Sequence, residues 1–183
     1  CTPYLQGNGT TSAYILEDSG PAATTTPPTC TENCNSNVLF LPGIEASRLY
    51  APGLFGENKI WEPLLSNDVS NLDLNNPSAV DSVYVKEGSV IDKAYGLYGV
   101  YGSFVTVMDK MRDTDHLITD WESIAYDWRL DYEDLLSYGN NINGNIYYRG
   151  ANAATSTPYI VQELKRLAST SRTGKVTIVA HSN

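Results

Sequence analysis

A chain of 183 residues, 42% hydrophobic and 18% charged, has the length and balance of one domain with a sizeable core. Its net charge is −9, and its 12 basic residues are scattered, which argues against a phosphate-binding surface for nucleic acid. No stretch approaches the roughly 20 apolar residues of a membrane span, so a soluble domain is expected.

Residues 1–37 hold no Lys or Arg and three acids, Glu17, Asp18 and Glu32, so every base lies in 38–183. Composition shifts at the same place. Thr24-Thr25-Thr26-Pro27-Pro28-Thr29 favours extended, solvated backbone and reads as a linker. Residues 1–23 are then the tail of a preceding segment, 24–37 the linker, and 38–183 the main body. The chain opens without an initiating Met or a charged-then-apolar leader, so any signal peptide is expected upstream or already removed. Cys1, Cys30 and Cys34 all fall in the first segment. Cys30 and Cys34 are close enough for a small local disulfide, which suits an extracellular or cell-envelope setting. Two cysteines without a nearby histidine make a poor zinc site, and a lipid-modified Cys1 is a further reading. Asn8-Gly9-Thr10 is a sequon, of use only in a eukaryotic secretory setting.

The body opens on Val38-Leu39-Phe40-Leu41, a continuous apolar run of the kind buried on both faces in a parallel sheet. Residues 50–101 are rich in Asn, Gly, Pro and Ser, with a small hairpin expected at Glu87-Gly88. They read as an inserted cap or lid, because 140 residues separate Pro42 from Ser182, too many for short connections. Ser103 can cap a helix with Phe104, Val107, Met108 and Met111 on one face. A second apolar run, Ile124-Ala125-Tyr126 to Trp128, is the next strand. A short helix from Asp131 is expected to bury Leu135 and Leu136. Thr157-Pro158 then starts a helix with Ile160, Leu164, Leu167 and Ala168 on one face, ended by Gly174. Val176-Thr177-Ile178-Val179 is the last strand. The alternation predicts an α/β fold with a doubly wound sheet.

Ser182 follows that strand at a sharp turn, where a serine can stand clear of a sheet and act as a nucleophile. Small Ala180 precedes it by two. His181, on the same turn, would point away from Ser182 and reads as a packed, hydrogen-bonded residue. His116, among Asp113, Asp115 and Asp120, reads as a surface residue. Leu41-Pro42-Gly43-Ile44 ends the first strand in a turn, so the amides of Ile44 and Asn183 can face one place as oxyanion donors. Asp127 and Arg129 are expected to pair structurally. The tract from Tyr95 to Gly102 could border a ligand groove or be a flexible, aromatic-rich connection.

In order, Val38-Leu39-Phe40-Leu41-Pro42-Gly43-Ile44-Glu45-Ala46-Ser47-Arg48-Leu49, Lys59-Ile60-Trp61, Tyr126-Asp127-Trp128-Arg129-Leu130 and Val179-Ala180-His181-Ser182 resemble landmarks of the lecithin:cholesterol acyltransferase family. The likeness spans 38–183. It implies an α/β-hydrolase fold, truncated here after the nucleophile elbow, with a lid near Trp61, a residue that reads either as a contact for an acyl chain or membrane or as a buried core tryptophan. It further implies cleavage or transfer of lipid or other carboxylic esters through an acyl-serine, possible contact with a lipid surface, and no metal or cofactor. The acid and histidine of the triad are expected after Asn183, so the 183 residues alone are expected to be inactive. The chain departs from the animal members in lacking a lid disulfide and in carrying Ala180 and Asn183 in place of the common Gly and Leu. Rival readings are a non-lipid esterase or thioesterase of the same fold, and a non-catalytic binding module of a larger surface protein.

Overall fold

The computed structural model describes residues 35–54, 56–63, 72–75, 81–95 and 98–182. The expectations for Cys1, Cys30, Cys34, the sequon, the Thr/Pro linker and Asn183 lie outside these residues. At the centre is a three-stranded parallel sheet ordered β10-β1-β7, made of β1 (Asn37–Leu41), β7 (Trp121–Ser123) and β10 (Val176–Ala180). Its strand residues alternate between two helices. Val38 and Phe40 meet α1 (Gly102–Asp113), through Met108 and through a 4.4 Å ring contact with Phe104. Leu39, on the opposite face, packs in the cluster that holds Leu167 of α3 (Tyr159–Thr170). A helix on each face explains why β1 reads as an uninterrupted apolar run.

The two outer strands differ from that expectation. Ile178 of β10 is 37% exposed, because this strand is flanked by β1 on only one side among the described residues. The strand expected at the second apolar run begins three residues earlier, at Trp121, and ends at Ser123, before that run. β7 pairs with Val38–Phe40, and the Ile124 amide still reaches the Phe40 carbonyl at 2.9 Å. Beyond it β1 turns into Pro42-Gly43 and offers no further ladder, so the Tyr126 amide donates instead to the Ser47 hydroxyl at 3.2 Å. Ile124, Ala125 and Tyr126 remain buried, which is why they read as strand.

Capping explains the helix boundaries. Asp131 accepts a 2.9 Å hydrogen bond from the Asp134 amide and starts α2 (Tyr132–Ser137). This six-residue helix buries Leu135 but leaves Leu136 55% exposed, contrary to expectation, because neighbouring side chains on a helix point in different directions and here only Leu135 faces the core. Ser103 lies inside α1 rather than capping it, since Tyr101 holds the N-cap position, and Val107 faces solvent at 54% exposure. At α3, Pro158 itself occupies the N-cap in place of Thr157, so the helix begins one residue later than expected.

The segment expected to be a cap forms small antiparallel pieces over the C-terminal end of β1. They are the hairpin of β2 (Leu49–Gly53) and β3 (Gly56–Trp61), then β4 (Val85–Lys86), and the pair β5 (Lys93–Ala94) and β6 (Tyr98–Gly99). Glu87-Gly88 does form a turn, with the Ser89 amide 3.0 Å from the Lys86 carbonyl. Its arms pair elsewhere: β4 joins a second sheet with β9 (Asn145–Tyr147) and β8 (Asn140–Ile142), and Val90 bridges Ser47.

One buried polar residue ties this framework together. Asn37 is fully buried, and its carboxamide donates to the Leu167 carbonyl and the Thr170 hydroxyl. Its oxygen accepts from the amides of Thr119 and Asp120. All four capacities of the side chain are used, so β1, the approach to β7 and the end of α3 are fixed at one point.

Candidate functional site

β10 carries the chain to Ala180, and the His181 amide extends the ladder once more, donating to the Leu41 carbonyl at 3.1 Å. Ser182 then adopts φ 55°, in the left-handed region that a non-glycine residue seldom visits. It is exposed at the C-terminal end of a parallel strand. Opposite it, Gly43 ends β1 in the Pro42-Gly43 turn. A Cβ built on Gly43 would lie 2.9 Å from the His181 carbonyl oxygen and 3.2 Å from Ser182 Cβ, so only glycine lets the two turns approach this closely.

The Ile44 side chain is 65% exposed. Among the described residues no hydrogen bond engages its amide. The Gly43 amide, by contrast, donates to the Tyr101 hydroxyl at 3.0 Å, and that hydroxyl also meets His181 Nδ1 at 2.8 Å. His181 is therefore hydrogen-bonded as expected but exposed rather than packed. The Tyr126 hydroxyl donates to the Pro42 carbonyl at 2.7 Å and steadies the same turn from below.

A pocket of about 250 Å³ opens beside Ser182. Ile44, Trp61, Ile91 and Val100 give it apolar walls, and Tyr95 brings part of the Tyr/Gly tract to its border. Trp61 is half-buried and fixed at both ends of its ring system. Its indole N–H donates to the Glu45 carbonyl at 2.6 Å, and its ring meets Trp128 edge-on at 5.2 Å. It thus serves core and pocket together.

Glu62, next along from Trp61, also borders the pocket, with its side chain only 4% exposed. Burial pushes its carboxyl up. The Tyr95 amide at 2.5 Å, Arg48 at 3.1 Å and Lys59 at 3.5 Å outweigh that and hold it below the ordinary carboxylate range. The carboxylate thereby anchors the loop at Tyr95 over the pocket.

The other charged candidates, Asp127, Arg129, His116 and Glu122, do not line this pocket. Asp127 and Arg129 form a buried two-pronged ion pair, with contacts of 2.6 and 2.8 Å and side chains 5% and 3% exposed. That geometry fixes the loop after β7. His116 is exposed beyond α1, with Nδ1 3.1 Å from the Arg112 carbonyl. On the α3 face, Glu122 lies beside Asp120, Glu163 and Arg166. Burial, then the nearby Glu163 carboxylate, push Glu122 up to about 7 against the pull of Arg166. Among the described residues no cluster of three or more His, Cys, Asp and Glu side chains is arranged to hold a metal ion, and no helix is long and apolar enough to cross a membrane.

Sequence reasoning missed Tyr101 and Glu62. Tyr101 lies in the Tyr/Gly tract already singled out, and Glu62 directly follows Trp61. Neither carries a local pattern that marks its role. Comparison of the chain with family models, with curated proteins and with solved structures gives no match.

Proposed function

We propose that Ser182 is the nucleophile of a serine esterase or acyltransferase, of the kind that the resemblance to the lecithin:cholesterol acyltransferase family implies. The observation that carries this reading is the left-handed Ser182 at the end of β10, pressed against the Gly43 turn at the end of β1. A serine hydroxyl needs exposure, a nearby oxyanion site and a base. The first is present, and the unengaged Ile44 amide is a candidate donor for the second, with the Asn183 amide as its partner. Neither histidine in the chain is the base in this reading. His116 follows α1, its Nδ1 on a carbonyl, and Nδ1 of His181 is tied to Tyr101. The base and its acid are assigned to sequence following Asn183.

In the proposed reaction Ser182 Oγ attacks the ester carbonyl carbon as its proton passes to the base. The oxyanion collapses, the alcohol leaves with that proton, and water or a second alcohol releases the acyl group from the serine. The apolar pocket walls support an acyl chain as the occupant. Labelling of the full-length protein with a fluorophosphonate tests this directly. Modification of wild type that disappears in Ser182→Ala supports the reading. An unlabelled wild type, or equal labelling of the variant, refutes it.

A further inference from the structure

We infer that Tyr101 is a positioning residue that fixes His181 as its Nε2–H tautomer and takes up the Gly43 amide, leaving Ile44 as the available donor of that turn. The argument is a proton count. The Gly43 N–H can only donate, so in the 3.0 Å contact the Tyr101 oxygen is the acceptor. The hydroxyl proton then needs an acceptor of its own. Among the described residues the remaining partner of that hydroxyl is His181 Nδ1, at 2.8 Å. Nδ1 therefore accepts, and in the neutral ring the proton sits on Nε2. His116 is the internal contrast. Its Nδ1 faces the Arg112 carbonyl, which can only accept, so His116 carries its proton on Nδ1. The two histidines of the chain hold opposite tautomers.

The consequence for the site follows from where Tyr101 comes from. It is buried at the N-cap of α1, directly after the segment that covers the pocket, and its ring packs edge-on against Phe40 at 4.9 Å. One hydroxyl thus joins the covering segment, the Gly43 turn and the Ser182 turn. With the Gly43 amide occupied, an oxyanion at Ser182 is left the Ile44 amide. The tautomer assignment stands on geometry alone, while the positioning role rests on the acyl-serine reading above.

The test has two arms. In the first, the full-length protein is labelled with ¹⁵N-histidine and its ring nitrogens are read by long-range ¹H–¹⁵N correlation above the histidine titration range, the signals of His181 and His116 being assigned by their loss in His181→Gln and His116→Gln. The expected spectrum shows a bare Nδ1 for His181 and a bare Nε2 for His116. Tyr101→Phe is expected to move the His181 ring signals and leave those of His116 in place. An Nδ1–H tautomer at His181 in wild type, or unchanged His181 signals in the variant, overturns the proposal. In the second arm, fluorophosphonate labelling of the full-length protein is expected to slow by roughly 10- to 100-fold in Tyr101→Phe. An unchanged rate beside an altered tautomer overturns the positioning role. A wild type that does not label at all overturns the acyl-serine reading and the positioning role with it, while the tautomer result is decided separately.

Discussion

Gly43→Ala should damage both stability and reactivity, and the structure sets the size of each effect. The added Cβ would sit 2.9 Å from the His181 carbonyl oxygen, 3.2 Å from Ser182 Cβ and 3.3 Å from His181 Nδ1. The nearest of these is backbone, which cannot rotate away. It is held by the His181 amide on Leu41 and by the parallel pairing of Leu41 with Ala180. Relief must come from spreading the two turns by a few tenths of an ångström, an overpacking cost of about 1–3 kcal/mol. For a domain of this size that corresponds to a fall in Tm of roughly 2–12 °C. The same spreading moves Ser182 away from the Ile44 amide, so fluorophosphonate labelling should slow by on the order of tenfold. Gly99→Ala is the matched control, because its Cβ meets nothing within 4 Å, and it should stay within about 0.5 kcal/mol of wild type. Differential scanning fluorimetry and labelling kinetics on both variants give the answer. If Gly43→Ala melts within about 1 °C of wild type and labels at the same rate, the close approach of the turns is not what shapes the site.

Glu122→Gln should raise stability above neutral pH. The folded-state carboxyl titrates at about 7, above an unfolded value of about 4.3, so the native state binds the extra proton between those limits and wild-type stability declines as pH rises through that window. A Tm series from pH 4 to 8 that is equally steep for variant and wild type would contradict this. Leu135→Ala should cost about 2–5 kcal/mol in urea denaturation, while its neighbour Leu136→Ala stays within about 0.5 kcal/mol, since the first side chain is 3% exposed and the second 55%.

What could be read from the sequence was what a run of neighbouring residues records. Val38-Leu39-Phe40-Leu41 announces a strand buried on both faces, because each of its residues meets a helix or a neighbouring strand. Asp131 announces a helix start, because its short carboxylate reaches the amide three residues on. Ser182 could be singled out because an apolar strand, a small residue and a serine stand in one unbroken stretch, although the strand itself is only partly covered. The failures share a different cause. Ile124-Ala125-Tyr126 is as apolar as a strand and as buried, but its ladder partner ends at Leu41, and the hydrophobic pattern of one segment does not say where its neighbour turns away. Leu136 was expected in the core because α2 is too short to reveal a period.

The polar contacts that shape the candidate site belong to the second kind. Tyr101 meets Gly43 and His181 across separations of 58 and 80 residues, and Asn37 meets Asp120 and Thr170 across 83 and 133. Burial can be inferred one residue at a time, since it depends on how apolar a side chain is. A hydrogen bond needs a donor and an acceptor brought together by the whole fold, and either partner alone looks like many other tyrosines or asparagines. Asn37 occupies a strand position that an apolar residue could fill, and only the amides of Thr119 and Asp120 and the end of α3 make a carboxamide preferable there. By the same reasoning Tyr101 reads as one more aromatic residue of a Tyr/Gly tract. Its hydroxyl acquires a role only once β1 and β10 lie side by side, because that pairing is what places the Gly43 amide and His181 Nδ1 within reach of one oxygen atom.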